Sequence, residues 1–77
     1  MSHTLWQLAA NTQAEIAGFC QSLDQHLLTR LSEMGFLVGT QVTCIKRTPL
    51  NGPMVIEVGG CVYSLDDDLA RFVFLSR

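Results

Sequence analysis

The segment Leu31-Ser32-Glu33-Met34-Gly35-Phe36-Leu37-Val38-Gly39-Thr40, followed closely by Arg47-Thr48-Pro49-Leu50-Asn51-Gly52-Pro53, decides how this chain folds. A helix closes on Gly35, an apolar pair follows, Gly39 supplies a tight turn, and a strand then runs into a loop bracketed by proline and glycine. Upstream, Leu23, Leu27, Leu31 and Met34 recur at spacings of four, four and three, and Leu28 widens the stripe. That period predicts a helix of about twelve residues with one apolar face. Ser22 and Gln25 have the spacing of a capping box at its start, with Asp24 in the first turn, where the macrodipole favours negative charge. Gly35 suits the left-handed position just past its end.

The remainder reads as short strands. Thr4 and Gln7 repeat the capping spacing, so Thr4 to Ala9 is expected to make one helical turn. Asn11-Thr12 turns the chain, and Gln13 to Phe19 alternates loosely as a first strand. Gln41 to Arg47 is the second, with Val42 and Cys44 on one face and Thr43, Ile45 and Arg47 on the other. Met54 to Val58 is the third, Gly59-Gly60 a turn that tolerates positive φ, and Cys61 to Leu65 the fourth. Ser64 to Asp67 then caps a short helical turn through Ala70, and Phe72 to Leu75 is the fifth strand. The connections are too short for parallel crossovers. The expected class is therefore mainly β with one main α-helix: a small, partly open antiparallel barrel of about five strands, the helix inserted after the first and covering an open end. The strands flanking the Pro49 to Pro53 loop should pair as a hairpin.

Seventy-seven residues, 48% of them apolar, are read as a single domain, 1–77, that buries about 60% of its unfolded surface. No apolar run approaches the roughly 20 residues that span a bilayer, and no basic-then-apolar leader opens the chain, so a cytoplasmic location is expected. A net charge of −2 with only five Lys and Arg excludes the polyanion attraction behind non-specific nucleic-acid binding.

Catalytic, cofactor and metal residues are not expected. Cys20, Cys44 and Cys61 are odd in number and widely spaced, giving neither a disulfide framework nor a CxxC knuckle, and are read as buried small apolar residues. His3 sits in a start expected to fray and His26 on the polar flank of the helix. Asp66, Asp67 and Asp68 are adjacent, so their side chains diverge and read as a solvated helix cap. Gly59-Gly60 lacks the Lys-Ser/Thr of a phosphate loop. Binding remains. One candidate rim is Arg47, Pro49, Leu50, Asn51, Gly52 and Pro53, stiffened by two prolines and tipped by an apolar Leu50 that either packs back or meets a partner. A second is the end of the helix and its turn, Leu28, Met34, Phe36 and Leu37, where apolar residues exceed what one core-facing stripe absorbs. Exposed barrel edges leave room for a homo-oligomer.

The order of helix, Met34-Gly35-Phe36-x-x-Gly39-Thr40-x-Val42, Arg47-x-Pro49-Leu50-x-Gly52-Pro53, apolar strand, Ser64-Leu65 and an acidic turn ending in Ala70 resembles the FeoA family, ferrous iron transport protein A, from about Leu8 to Leu75. That resemblance implies an SH3-like barrel and a non-enzymatic cytoplasmic accessory of ferrous iron uptake. It also implies a partner, the GTP-binding portion of the membrane transporter FeoB, through which alone the membrane would be met. Asp66-Asp67-Asp68 departs from the family, whose members commonly carry a basic residue after the last hairpin. The same module occurs as the C-terminal domain of iron-dependent repressors of the diphtheria toxin repressor kind. Those carry a DNA-binding helix-turn-helix upstream, for which a chain starting at Met1 leaves no room. The alternative is a metal-sensing or metal-delivery protein that binds Fe(II) or another divalent metal through Cys20, Cys44, Cys61 or His26.

Overall fold

In the computed structural model, which describes residues 3–76, the chain runs β1 (His3–Thr4), a 3₁₀ turn (Leu5–Gln7), β2 (Thr12–Phe19), α1 (Gln25–Met34), β3 (Gln41–Arg47), β4 (Met54–Val58), β5 (Cys61–Leu65), α2 (Asp67–Ala70) and β6 (Val73–Ser76). The strands form one antiparallel sheet in the order β1-β6-β2-β3-β4-β5. The class is mainly β with one main helix, and the strands flanking the Pro49 to Pro53 loop pair as a hairpin. Among the described residues there are six strands instead of five. The additional one, β1, is two residues long and pairs His3 with Leu75 and Thr4 with Phe74. Two residues carry no period, so only their partner β6 makes them a strand, and His3 is held instead of frayed.

The helix starts later than its capping spacing suggests. Asp24, not Ser22, is the N-cap: its carboxylate accepts from the His26 amide at 3.2 Å, and α1 has ten residues. Ser22 is engaged elsewhere, its hydroxyl 3.0 Å from Cys20 Sγ in the turn that Leu23 N–H closes on the Cys20 carbonyl. At the other end Gly35 takes φ +101°. Phe36 N–H reaches the Leu31 carbonyl at 2.9 Å and Gly35 N–H that of Ser32 at 3.0 Å, a Schellman closure. The accompanying apolar contact follows, since Leu31 and Phe36 are both wholly buried.

One core runs beneath the sheet. It is built from Leu5 and Leu8, Ala14 and Ile16 of β2, Val42 and Cys44 of β3, Met54, Ile56 and Val58 of β4, Leu65, Ala70, and Val73 and Leu75 of β6, closed by Leu23, Leu31 and Phe36. Leu27, Leu28 and Met34 pack partly against it, so the helical stripe lies where its period puts it. The alternation expected along β3 fails in one place. The register slips between Cys44 and Lys46, so Ile45 and Lys46 turn outward and Arg47 returns to pair with Met54. The cysteines are not uniformly buried either: Cys44 is, Cys20 is half-buried, and Cys61 is exposed because it lies at the start of the edge strand β5. Among the described residues no helix is long and apolar enough to cross a membrane.

Candidate functional site

The β3–β4 connection is held at its base by the Arg47–Met54 pair and turns sharply at its tip. Gly52 N–H donates to the Pro49 carbonyl at 3.3 Å, and between them Leu50 and Asn51 take φ of +61° and +60°. Two successive positive φ values are the signature of a type I′ turn, which favours Asn followed by Gly. Asn51 tolerates that conformation; Leu50 does not, and its left-handed backbone costs about 1–2 kcal/mol. Its side chain is also 98% exposed, the extreme among the large apolar residues described. Gly52 is required for space: a Cβ there would lie 2.7 Å from Thr48 Cγ2. Pro49, Asn51 and Pro53 share the exposed rim with Leu50, and Gly52 is half-buried.

Arg47 belongs beneath this rim, not on it. Its guanidinium carbon lies 4.5 Å from the centroid of the Trp6 ring, and Nη1 donates to the Trp6 carbonyl at 2.5 Å and lies 3.6 Å from Met54 Sδ. The 3₁₀ turn that presents Trp6 is fixed by Thr4 N–H donating to Gln7 Oε1 at 2.9 Å. Sequence reasoning missed this clamp because its partners are 41 residues apart.

The second candidate region divides. Phe36 is wholly buried, its ring centroid 5.9 Å from that of Tyr63, so it cannot contact a partner; the Schellman closure turns it inward. Met34 is half-buried, whereas Leu37 and the unanticipated Val38 are 50% and 64% exposed. The position of Phe36 directly after Gly35, where a Schellman closure packs it on Leu31, is the local signal that separates it from Val38, which lies two residues further along. Leu28 packs partly on the core. Among the described residues no group of three or more His, Cys, Asp or Glu side chains comes together. The Ser22 hydroxyl lowers the Cys20 thiol pKa, and burial raises that of Cys44. An open cavity of about 250 Å³, which sequence reading also missed, lies against β1 and is lined by His3, Thr4, Gln7, Leu8, Ala9, Thr12 and Leu75.

The model of the FeoA domain matches residues 3–77. Among solved structures the chain is similar to an iron uptake regulatory protein (FeoA), with a TM-score of 0.80 at 21% identity over 97% of this chain and 94% of that one. It is also similar to the zinc-complexed FeoA of Stenotrophomonas maltophilia, with a TM-score of 0.84 at 25% identity over 96% of this chain and 89% of that one. That protein is described as a prokaryotic SH3 domain protein and a candidate ferrous iron transport activating factor. A manganese-dependent transcriptional repressor gives a TM-score of 0.85 at 14% identity, a likeness of fold alone, and the chain spans 40% of its length. No curated protein sequence matches the chain. The expected SH3-like barrel is the fold found.

Proposed function

The chain belongs to the FeoA family, and from that membership we propose that residues 1–77 act as one accessory module of ferrous iron uptake with no reaction of its own. It docks in the cytoplasm on the GTP-binding portion of a FeoB-type transporter and modulates it, meeting the membrane only through that partner. The observation that carries this reading is Leu50, apolar, 98% exposed and left-handed in backbone. In the free chain both properties are unfavourable. A partner that buries the side chain supplies about 1.5–3 kcal/mol, which offsets the backbone cost of about 1–2 kcal/mol. Pro49 and Pro53 stiffen the tip, so little conformational freedom is lost on docking. Leu37 and Val38 offer a second apolar contact. The activating role considered for the S. maltophilia protein, which shares the fold over nearly its whole length, points the same way.

The test is Leu50→Asp, read by co-purification with FeoB and by circular dichroism. Co-purification should be lost with the folded spectrum intact; undiminished co-purification removes the turn from the interface.

A further inference from the structure

Cys61-Val62-Tyr63-Ser64-Leu65 contains no charge, no proline and no glycine, yet it is the last strand of its sheet. Proteins usually blunt such an edge with lysine, proline, a bulge or extreme shortness. The opposite edge, β1, is two residues long, and β2 and β3 each contain a register shift. The five-residue β5 has none of these devices, and its pairing with β4 is unbroken from Val58–Cys61 to Met54–Leu65.

The direction of its backbone groups follows from the turn. Gly59 and Gly60 have φ of +58° and +83°, a two-residue type I′ hairpin in which the flanking Val58 and Cys61 are hydrogen-bonded to each other. Alternation then points the N–H and C=O groups of Cys61, Tyr63 and Leu65 at β4, and those of Val62 and Ser64 at the open edge. Among the described residues no backbone hydrogen bond outside the ladder engages Val62 or Ser64, and Val62 is 58% exposed.

We propose that β5 is a self-association strand: two copies of this chain pair edge to edge, antiparallel, about a two-fold axis at Tyr63. Val62 of each copy then lies opposite Ser64 of the other, and each such pair exchanges both its N–H···O bonds. A copy of the same strand is the matching occupant because two outward-facing residues flanking one central residue are self-complementary under a two-fold rotation. Charge fixes the orientation. Asp66, Asp67 and Asp68 follow β5 directly. Parallel pairing would set the two acidic triads side by side, which is repulsive. Antiparallel pairing sets each beside the uncharged Gly59-Gly60 turn. Centring on Val62 instead would put Ser64 opposite Gly60, outside the strand, so Tyr63 is the centre that satisfies both outward residues within β5.

The test is light scattering and amide hydrogen exchange on the full chain, under a thiol reductant so that exposed Cys61 cannot cross-link. A contact built on one strand pair is at the weak end of interfaces, so the mass should rise from the 8.5 kDa of one chain towards twice that as concentration approaches about 1 mM. The Val62 and Ser64 amides should gain protection over the same range. Ser64→Pro deletes an N–H that β4 does not use and should hold the mass at one chain with the dichroism spectrum unchanged. Should that variant fail to fold, Val62→Lys, a charge on the edge with an intact backbone, must give the same loss. A chain that stays monomeric at about 1 mM, with the two amides unprotected, overturns the proposal. A dimer indifferent to the edge substitutions overturns it as well.

Discussion

The Arg47 guanidinium lies 4.5 Å above the Trp6 ring while its Nη1 donates to the Trp6 carbonyl oxygen at 2.5 Å, joining the N-terminal 3₁₀ turn to the end of β3. One planar, permanently charged group thus serves a ring face and a backbone acceptor together, for which its rigid fork is pre-organised and an ammonium on a flexible stem is not. Because Arg47 is also the residue from which the 48–53 turn departs, the clamp sets the base on which Leu50 is presented.

Replacing Arg47 should therefore cost stability as well as position. A charge-assisted hydrogen bond contributes about 1.5–3 kcal/mol and an exposed cation–π contact about 0.5–1 kcal/mol. With the group half-buried, Arg47→Ala is expected to lose about 2 kcal/mol, seen as a lower urea midpoint at unchanged slope. Arg47→Lys should recover less than half of the loss.

Leu50→Asn should act oppositely on stability and binding. Asn accepts a left-handed backbone, so relief of the strain is expected to add about 0.5–1 kcal/mol, which in a domain of this size raises Tm by a few degrees. The same change removes the apolar tip and should weaken co-purification with FeoB. A variant that is both less stable and equally well bound would contradict both halves.

Two glycines should respond to alanine for different reasons. At Gly35 the φ of +101° is the obstacle, since a Cβ would meet only Val58 Cγ2 at 3.9 Å. Gly35→Ala should cost about 1–2 kcal/mol whatever its neighbours are. At Gly52 the obstacle is contact, 2.7 Å to Thr48 Cγ2 and 3.0 Å to Thr48 Cβ. Thr48→Ser should therefore rescue part of the loss in Gly52→Ala and none in Gly35→Ala, a coupling that a double-mutant cycle on thermal unfolding measures.

Cys20 and Cys44 should titrate in opposite directions from an ordinary thiol. The hydrogen bond from Ser22 lowers the Cys20 pKa, whereas loss of hydration raises that of Cys44. Iodoacetamide should label Cys20 at lower pH than a free thiol and spare Cys44 in the folded chain. Ser22→Ala should move the Cys20 midpoint upward. The sign for stability follows. A folded thiol that releases its proton more readily than the unfolded one adds stability that is present above the ordinary thiol range and lost as pH falls through its lowered folded value.

Much of the architecture is legible locally. The boundaries of β3 and β4 follow from β-branched runs between glycine and proline punctuation, the start of β5 from the Gly59-Gly60 turn, and Gly35 ends the helix because the backbone there must be left-handed. The misreadings have separate causes. Ser22 and Asp24 both carry good capping side chains, and the choice between them depends on the local contact with Cys20. The Cys44–Lys46 bulge is invisible to a period of two, so it displaced Arg47 from the rim to the Trp6 clamp. Phe36 is turned inward by the Schellman hydrogen bonds, whereas Val38 lies beyond them and is exposed.

Alone, then, the chain of residues determined an antiparallel class, one amphipathic helix, a rigid proline-flanked turn and the family pattern, since each depends on backbone preferences and polarity that act over a few neighbours. Tertiary structure decided which strand is left at the edge, that no other segment covers Leu50, that Phe36 meets Tyr63, and that Arg47 meets Trp6. Those outcomes depend on contacts between segments tens of residues apart, where many pairings are compatible with the same local preferences and only burial of a common core selects among them.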